Sequence, residues 1–183
     1  GIIMNEKTSQ IYYQFYVDAL EILSKYNTEY EYSAKDAVKE LKHLKFKKLD
    51  NMAKEPSKVR DSDAGIDLYA LRRVRIPAGG REAVPTGYAV AIPKGYYGKI
   101  EERSGFSLEN TLTRKAGVID SEYRGEIKVV FQNAGSYPVD IDAGTKMAQM
   151  IIHRQPVVTF EFVDELDETD RGTSGFGDSD KIK

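Results

Sequence analysis

Cysteine is absent from this chain, and histidine is nearly so: His43 and His153 are the only two. The first absence excludes disulfides, a thiol nucleophile and any cysteine-ligated zinc site. It fits a reducing, intracellular setting. The scarcity of imidazole, with neither histidine in a matching context, leaves no basis for a Ser-His-Asp triad or a His-Glu-His zinc site. A metal acting here is expected to be a hard cation held by carboxylates and phosphate oxygens. Positive charge is not in excess either. A net charge of -2 and a pI near 5.8 give no broad basic field for nucleic acid or a membrane surface. Long apolar runs are missing: none approaches the ~20 residues that span a bilayer. No secretory leader is visible. The expected location is intracellular and cytoplasmic, or nuclear in a eukaryotic or viral host setting.

What is present divides into three parts. Residues 5–26 carry Ile11, Phe15, Ala19, Ile22 and Tyr26 at helical spacing, widened by Tyr12, Tyr16, Leu20 and Leu23. Ser33 opens a second helical pattern with Asp36 three residues on and an apolar face of Ala37, Val38 and Leu41. Residues 1–42 therefore read as an N-terminal α-helical hairpin that packs on the rest of the chain or on a partner. From residue 43 to 164, short alternating runs are separated by "IPAGG", "VPTG", "IPKGYYG", "NAGSYP" and "DAGT". That spacing predicts a mainly β, jelly-roll-like barrel. Residues 165–183, acidic and glycine-rich, read as a flexible arm that orders on binding.

Five stretches carry more chemistry than packing needs. In "DAGIDLYA", Asp67 begins an apolar strand; a turn carboxylate capping its own backbone is the bland alternative. In "ERSGFS", Arg103 can bind phosphate oxygens, Ser104 adds a hydroxyl and Gly105 lets the backbone approach, or the stretch is a surface turn. In "AGVIDSEYRGEIKVVF", read as a β-hairpin, Asp120 can orient and deprotonate a water, and Tyr123 can close on a flat or sugar-like ligand. In "AGTKMAQMII", Gln149 interrupts an apolar strand and must be satisfied by backbone or by ligand. In "RGTSGFGDS", glycines bracket Phe176 beside Arg171, which suits folding over a polyphosphate and stacking on a base, or a low-complexity tail.

In this order and spacing, the five stretches closely resemble the five motifs of trimeric deoxyuridine triphosphatases (dUTPases). The resemblance covers roughly residues 44–179. It implies a jelly-roll-like subunit, a homotrimer with shared active sites, and Mg2+-assisted hydrolysis of dUTP to dUMP and pyrophosphate. It implies Asp120 as the carboxylate that activates water at the α-phosphorus, and Tyr123 as the ring beneath deoxyribose. The backbone around Gly117 and Lys128 matches the uracil-reading segment. Arg103, Ser104 and Gly105 match the phosphate clamp, Gln149 the phosphate-side amide, and Lys146 a further positive charge. Asp67 matches the carboxylate that reaches magnesium through water. Arg171, Phe176, Gly177 and Ser179 match the arm that closes over γ-phosphate and base.

The sequence departs from the family pattern at Lys146, where arginine is frequent, at Glu102, where proline is frequent, and at Ser174, where glycine is usual. Asp178 and Asp180 stand where small neutral residues are usual. If Asp178 opposes a γ-phosphate, Asp178→Ser lowers KM for substrate, and steady-state kinetics checks it; an unchanged or raised KM refutes it. Two other readings compete. A deoxycytidine triphosphate deaminase on the same fold depends on a glutamate in the third motif, which here has the Asp-x-x-Tyr pattern instead. A regulatory protein on the dUTPase fold would engage a protein partner through residues 1–42.

Overall fold

The computed structural model describes residues 14–15, 17–19 and 42–175. Alternation in the sequence becomes alternation in burial. In the strand Lys128–Asn133, Val129, Phe131 and Asn133 are buried and Lys128 is exposed. The fully buried Phe131, Val129, Ile127, Ile100, Leu68 and Met150 form the centre of one apolar core. Phe131→Ala is expected to cost about 3–5 kcal/mol through lost burial and the cavity left behind. Denaturant unfolding measures this as a fall in midpoint.

Among the described residues from 42 onward, eleven strands and one short helix follow in chain order: β1 Lys45–Lys48, β2 Ile66–Tyr69, β3 Val74–Ile76, β4 Arg81–Pro85, β5 Tyr88–Ala91, β6 Tyr96–Glu101, α1 Ser104–Glu109, β7 Leu112–Lys115, β8 Val118–Ile119, β9 Lys128–Asn133, β10 Val139–Ile141 and β11 Lys146–Arg154. All pairings are antiparallel. The sheets run β2-β11-β6-β8, β4-β9-β7, β1-β5 and β10-β3. The fold is mainly β, as the turn-punctuated sequence predicts. In β11 the alternation breaks, since Met147 and Ala148 are both buried. The pairing with β2 shifts register between Lys146 and Ala148. One extra residue in a bulge turns two consecutive side chains inward.

The "NAGSYP" turn is pinned by Asn133. Its Oδ1 accepts from the Thr111 hydroxyl (2.7 Å) and the Gly135 N–H (2.9 Å). Its Nδ2 donates to the Ile76 and Tyr137 carbonyls. A buried amide with all these partners fixes the turn rather than penalising the core.

Two expectations are corrected. The segment 116–131 is not a hairpin. β8 pairs with β6, whereas β9 pairs with β4 and β7, so residues 120–127 cross from one sheet to another. Both flanking apolar residues, Ile119 and Ile127, are buried in the shared core, which each sheet supplies from its own side. The surface turn at "ERSGFS" is instead the entry to α1, with Arg103 at the N-cap position in extended conformation. Phe106 of this helix packs on Phe131 with ring centroids 5.4 Å apart, so core contact holds a turn of weak helix formers. At the N-terminus, residues 14–15 and 17–19 are helical, with Gln14 Nε2 donating to Asp18 Oδ1 (2.8 Å). The rest of the expected helical hairpin up to residue 41 lies outside the described residues, as do Phe176, Gly177, Asp178, Ser179 and Asp180.

Candidate active site

The four-stranded sheet sets the first half of the site. Register places Asp67 of β2 opposite Gln149 of β11, and Gln149 opposite Glu101 of β6. Opposite residues in a ladder share a face, so these three polar side chains form one row. Arg103 stands just beyond the end of β6, and Lys146 begins β11. Both converge on Asp67. Arg103 Nε lies 2.9 Å from Oδ1 and Lys146 Nζ lies 2.9 Å from Oδ2. One buried carboxylate thus holds two cations side by side. The hydrogen bond that the Lys146 ammonium donates to Asp67 also raises it above its ordinary 10.5, ahead of opposing desolvation.

Around this clamp lies a polar cavity of ≈ 340 Å³, lined by Asp67, Arg103, Ser104, Gln149 and the loop from Val59 to Gly65. Gln149 Nε2 donates to the Glu102 carbonyl (2.9 Å), which ties the "ERSGFS" segment to β11. Glu102, the departure from proline, accepts the Arg114 N–H through Oε1 (2.9 Å) and so anchors the same segment from the other side. Gly65 leaves room for Gln149: a Cβ there would stand 2.9 Å from Gln149 Cβ and 2.8 Å from Cδ. Gly65→Ala should therefore displace the amide and lower stability by about 1–3 kcal/mol, measured by thermal unfolding.

The second half lies at the other edge of that sheet. A cleft of ≈ 270 Å³ is lined by Ile100, Ala116, Gly117, Val118, Ile119, Tyr123, Glu126, Ile127 and Lys128. Its floor is backbone held in an unusual path. Gly117 has φ 128° and its carbonyl accepts the Ile100 N–H (2.7 Å). A Cβ at Gly117 would lie 3.1 Å from the Ile100 carbonyl oxygen, so conformation and space both require glycine. Ala116 also has positive φ (55°), and the Arg114 guanidinium donates to its carbonyl. Main-chain groups presented this way suit a flat ring with hydrogen-bonding edges. The Tyr123 ring lies across Gly125, its hydroxyl donating to the Glu126 carbonyl (3.0 Å), and it borders the cleft.

Asp120 directly follows β8 and is exposed. Its carbonyl accepts the Tyr123 N–H (3.1 Å). It lines neither hollow, and the two hollows share no lining residue. Arg171 is exposed in the arm, its Nε donating to the Ser174 carbonyl (3.0 Å). Sequence reasoning missed Arg60 and Asp63 beside the polar cavity and Glu126 beside the cleft. The loop charges in "RDSDAG" were the available signal for the first two. Among the described residues no three histidines, aspartates or glutamates converge as a metal cage.

The chain that carries this polar clamp and this backbone-lined cleft is similar to known proteins. The dUTPase family model matches residues 51–180. The deoxyuridine 5'-triphosphate nucleotidohydrolase of swinepox virus is 40% identical over 137 residues, 75% of this chain and 96% of that protein. The enzyme of the same name from Yarrowia lipolytica is 39% identical over 136 residues, 73% of this chain and 87% of its own. A variant of the Staphylococcus bacteriophage 80alpha dUTPase, solved with dUpNHpp, superposes with a TM-score of 0.70 at 25% identity, covering 76% of this chain and 99% of its own. The phage phi11 dUTPase, whose structure reveals coordination of a structural Mg(II) ion, gives a TM-score of 0.63 at 25% identity, over 68% and 98%. With the family model spanning most of the chain and relatives this similar along nearly their whole length, the chain belongs to the dUTPase family.

Proposed function

We propose that this protein hydrolyses dUTP to dUMP and pyrophosphate inside the cell. The observation that carries the reading is the Asp67 clamp, in which one carboxylate on the wall of a polar cavity holds both Arg103, on the same wall, and Lys146, within a dUTPase-family chain. Two fixed cations and a serine hydroxyl suit a polyphosphate, whose hydrolysis needs positioning and charge neutralisation above all. The cleft at Gly117 takes uracil and deoxyribose, with backbone groups reading the base edge and Tyr123 against the sugar. Asp120 orients the attacking water and removes its proton as the bond to the α-phosphorus forms.

The donor set fits Mg2+ only in one manner. No carboxylate cage exists among the described residues, so Asp67 is the residue that would help hold the ion, through water and alongside the substrate's own phosphates. The ion would supply neutralisation of phosphate charge. We further place the chain in a homotrimer. The cavity and the cleft open on different edges of one sheet and Asp120 borders neither, so subunits are needed to unite the parts. Beyond β11, Val157 and Phe162 are 98% and 95% exposed, surface that an assembly would cover. Arg171 and Phe176 then close a neighbouring site.

The test is pyrophosphate release from dUTP, UTP, dTTP and dCTP with Mg2+. Hydrolysis confined to dUTP is expected. Equal turnover of UTP would remove the sugar-reading role of Tyr123, and ammonia release from dCTP would favour the deaminase.

A further inference from the structure

One wall of the cleft is backbone in a disfavoured path. Ala116 at φ 55° and Gly117 at φ 128° follow one another, and left-handed backbone is unfavourable for a residue with a Cβ. Such a path persists only where its surroundings hold it. The Gly117 carbonyl is held by the Ile100 N–H at 2.7 Å. The Ala116 carbonyl is held by a side chain, the Arg114 guanidinium.

Arg114 is itself placed from several directions. Its backbone N–H donates to Glu102 Oε1 (2.9 Å). Its Nη2 lies 3.5 Å from Glu101 Oε2, and Lys99 Nζ steadies the other oxygen of that carboxylate at 2.8 Å. Its Nη1 is so near Gly117 that a Cβ there would stand 2.5 Å from it. Its Nε is buried without a hydrogen-bond partner among the described residues. An unpaired buried N–H is destabilising, so the contacts at Nη1 and Nη2 fix this pose against that cost.

We infer that Arg114 is a positioning residue for base recognition: by holding the Ala116 carbonyl, it turns the Ala116–Gly117 peptide so that the N–H, and not the C=O, faces the cleft. The C=O and N–H of a trans peptide point in opposite directions. Ala116 and Gly117 line the cleft and Arg114 does not, so a carbonyl drawn onto Arg114 leaves the Gly117 N–H on the cleft side. Among the described residues no main-chain group accepts that N–H, and it is left for an acceptor atom on the edge of a flat ring. Released from Arg114, the peptide can rotate, and a base oxygen then meets a carbonyl instead of a donor. The assignment rests on the reading of this cleft as the base site.

Arg114 does not line the polar cavity, so two ligands separate its role from a general one. Wild type, Arg114→Met and Arg114→Lys are titrated calorimetrically with dUMP and, separately, with tripolyphosphate, both with Mg2+. Thermal unfolding establishes that each variant is folded. In Arg114→Met the Kd for dUMP should rise about tenfold, the scale of one well-formed hydrogen bond, while that for tripolyphosphate stays within about twofold of wild type. Lysine keeps one donor and should fall between the two. In wild type, the Gly117 amide resonance should move when dUMP is added. A methionine variant that binds dUMP as wild type does overturns the assignment, as does equal loss of both ligands, a lysine variant weaker than the methionine one, or a Gly117 resonance that stays in place. Wild type that binds tripolyphosphate but not dUMP removes the reading of the cleft itself, and the assignment with it.

Discussion

Asp120→Asn should reduce kcat for dUTP by about 10²–10⁴-fold, the span typical of a lost general base, while nucleotide still binds. Asparagine keeps the shape and removes the proton acceptor. The surroundings of Asp120 make the outcome interpretable. The residue is exposed directly after β8, and its contact with the following turn is made by its carbonyl, not its carboxylate. Among the described residues no ion pair involves it. Stability should therefore change by no more than about 0.5 kcal/mol, and a lost rate can be assigned to chemistry. Pyrophosphate release gives kcat, and equilibrium binding of dUpNHpp gives affinity. A variant that keeps kcat within tenfold of the wild type would take the base role from Asp120. Lost affinity with intact kcat would make it a binding group.

The residue types of the site were legible in the sequence because each lies in a short stretch whose composition is wrong for packing alone. Asp67 inside an apolar strand and Gln149 inside another stand out locally, whereas Gly117 is named only through the family resemblance. Their mutual geometry was not legible. Asp67, Arg103 and Lys146 are far apart in the chain and meet through the register of β2 on β11 and the exit of β6. The sequence-based reading accordingly assigned Asp67 to a metal and left unseen the two cations it holds directly. Strands were legible for a similar reason, and their partners were not. Alternation marks "IKVVF" as half-buried whatever it pairs with, so the turn signals at Tyr123-Arg124-Gly125 suggested a hairpin where the chain changes sheet. Helix α1 had the weakest local signal. Serine and glycine open it, Phe106 on Phe131 supports it, and Asn110 closes it by donating to the Phe106 carbonyl (2.5 Å) while accepting the Leu112 N–H (2.9 Å). Tertiary contact outweighed propensity there.

The second large effect is expected from Asp67→Asn. The neutral amide cannot neutralise Arg103 and Lys146, which the carboxylate holds at 2.9 Å on each oxygen. Two consequences oppose one another. The cavity becomes more positive, which favours a polyphosphate anion. The cations also lose their common anchor and repel, so they no longer present a fixed pair. Position should win, because displacement of about 1 Å can cost about 10²-fold in rate, whereas the anion is still attracted by loosely held cations. We expect kcat to fall about 10²-fold with KM changed far less. A rise in KM at unchanged kcat would mean that the clamp serves binding alone. The pH dependence of stability provides an independent check. Asp67 raises Lys146 above 10.5 through their hydrogen bond. A raised folded value means that the ammonium contributes stability fully below the unfolded value, and that this is lost as pH rises through the folded one. The stability difference between wild type and Asp67→Asn should hence persist through neutral and mildly alkaline pH, and shrink only above about 10.5. A difference that vanishes between pH 8 and pH 9 would show that the ion pair with Lys146 is not what Asp67 contributes to the fold.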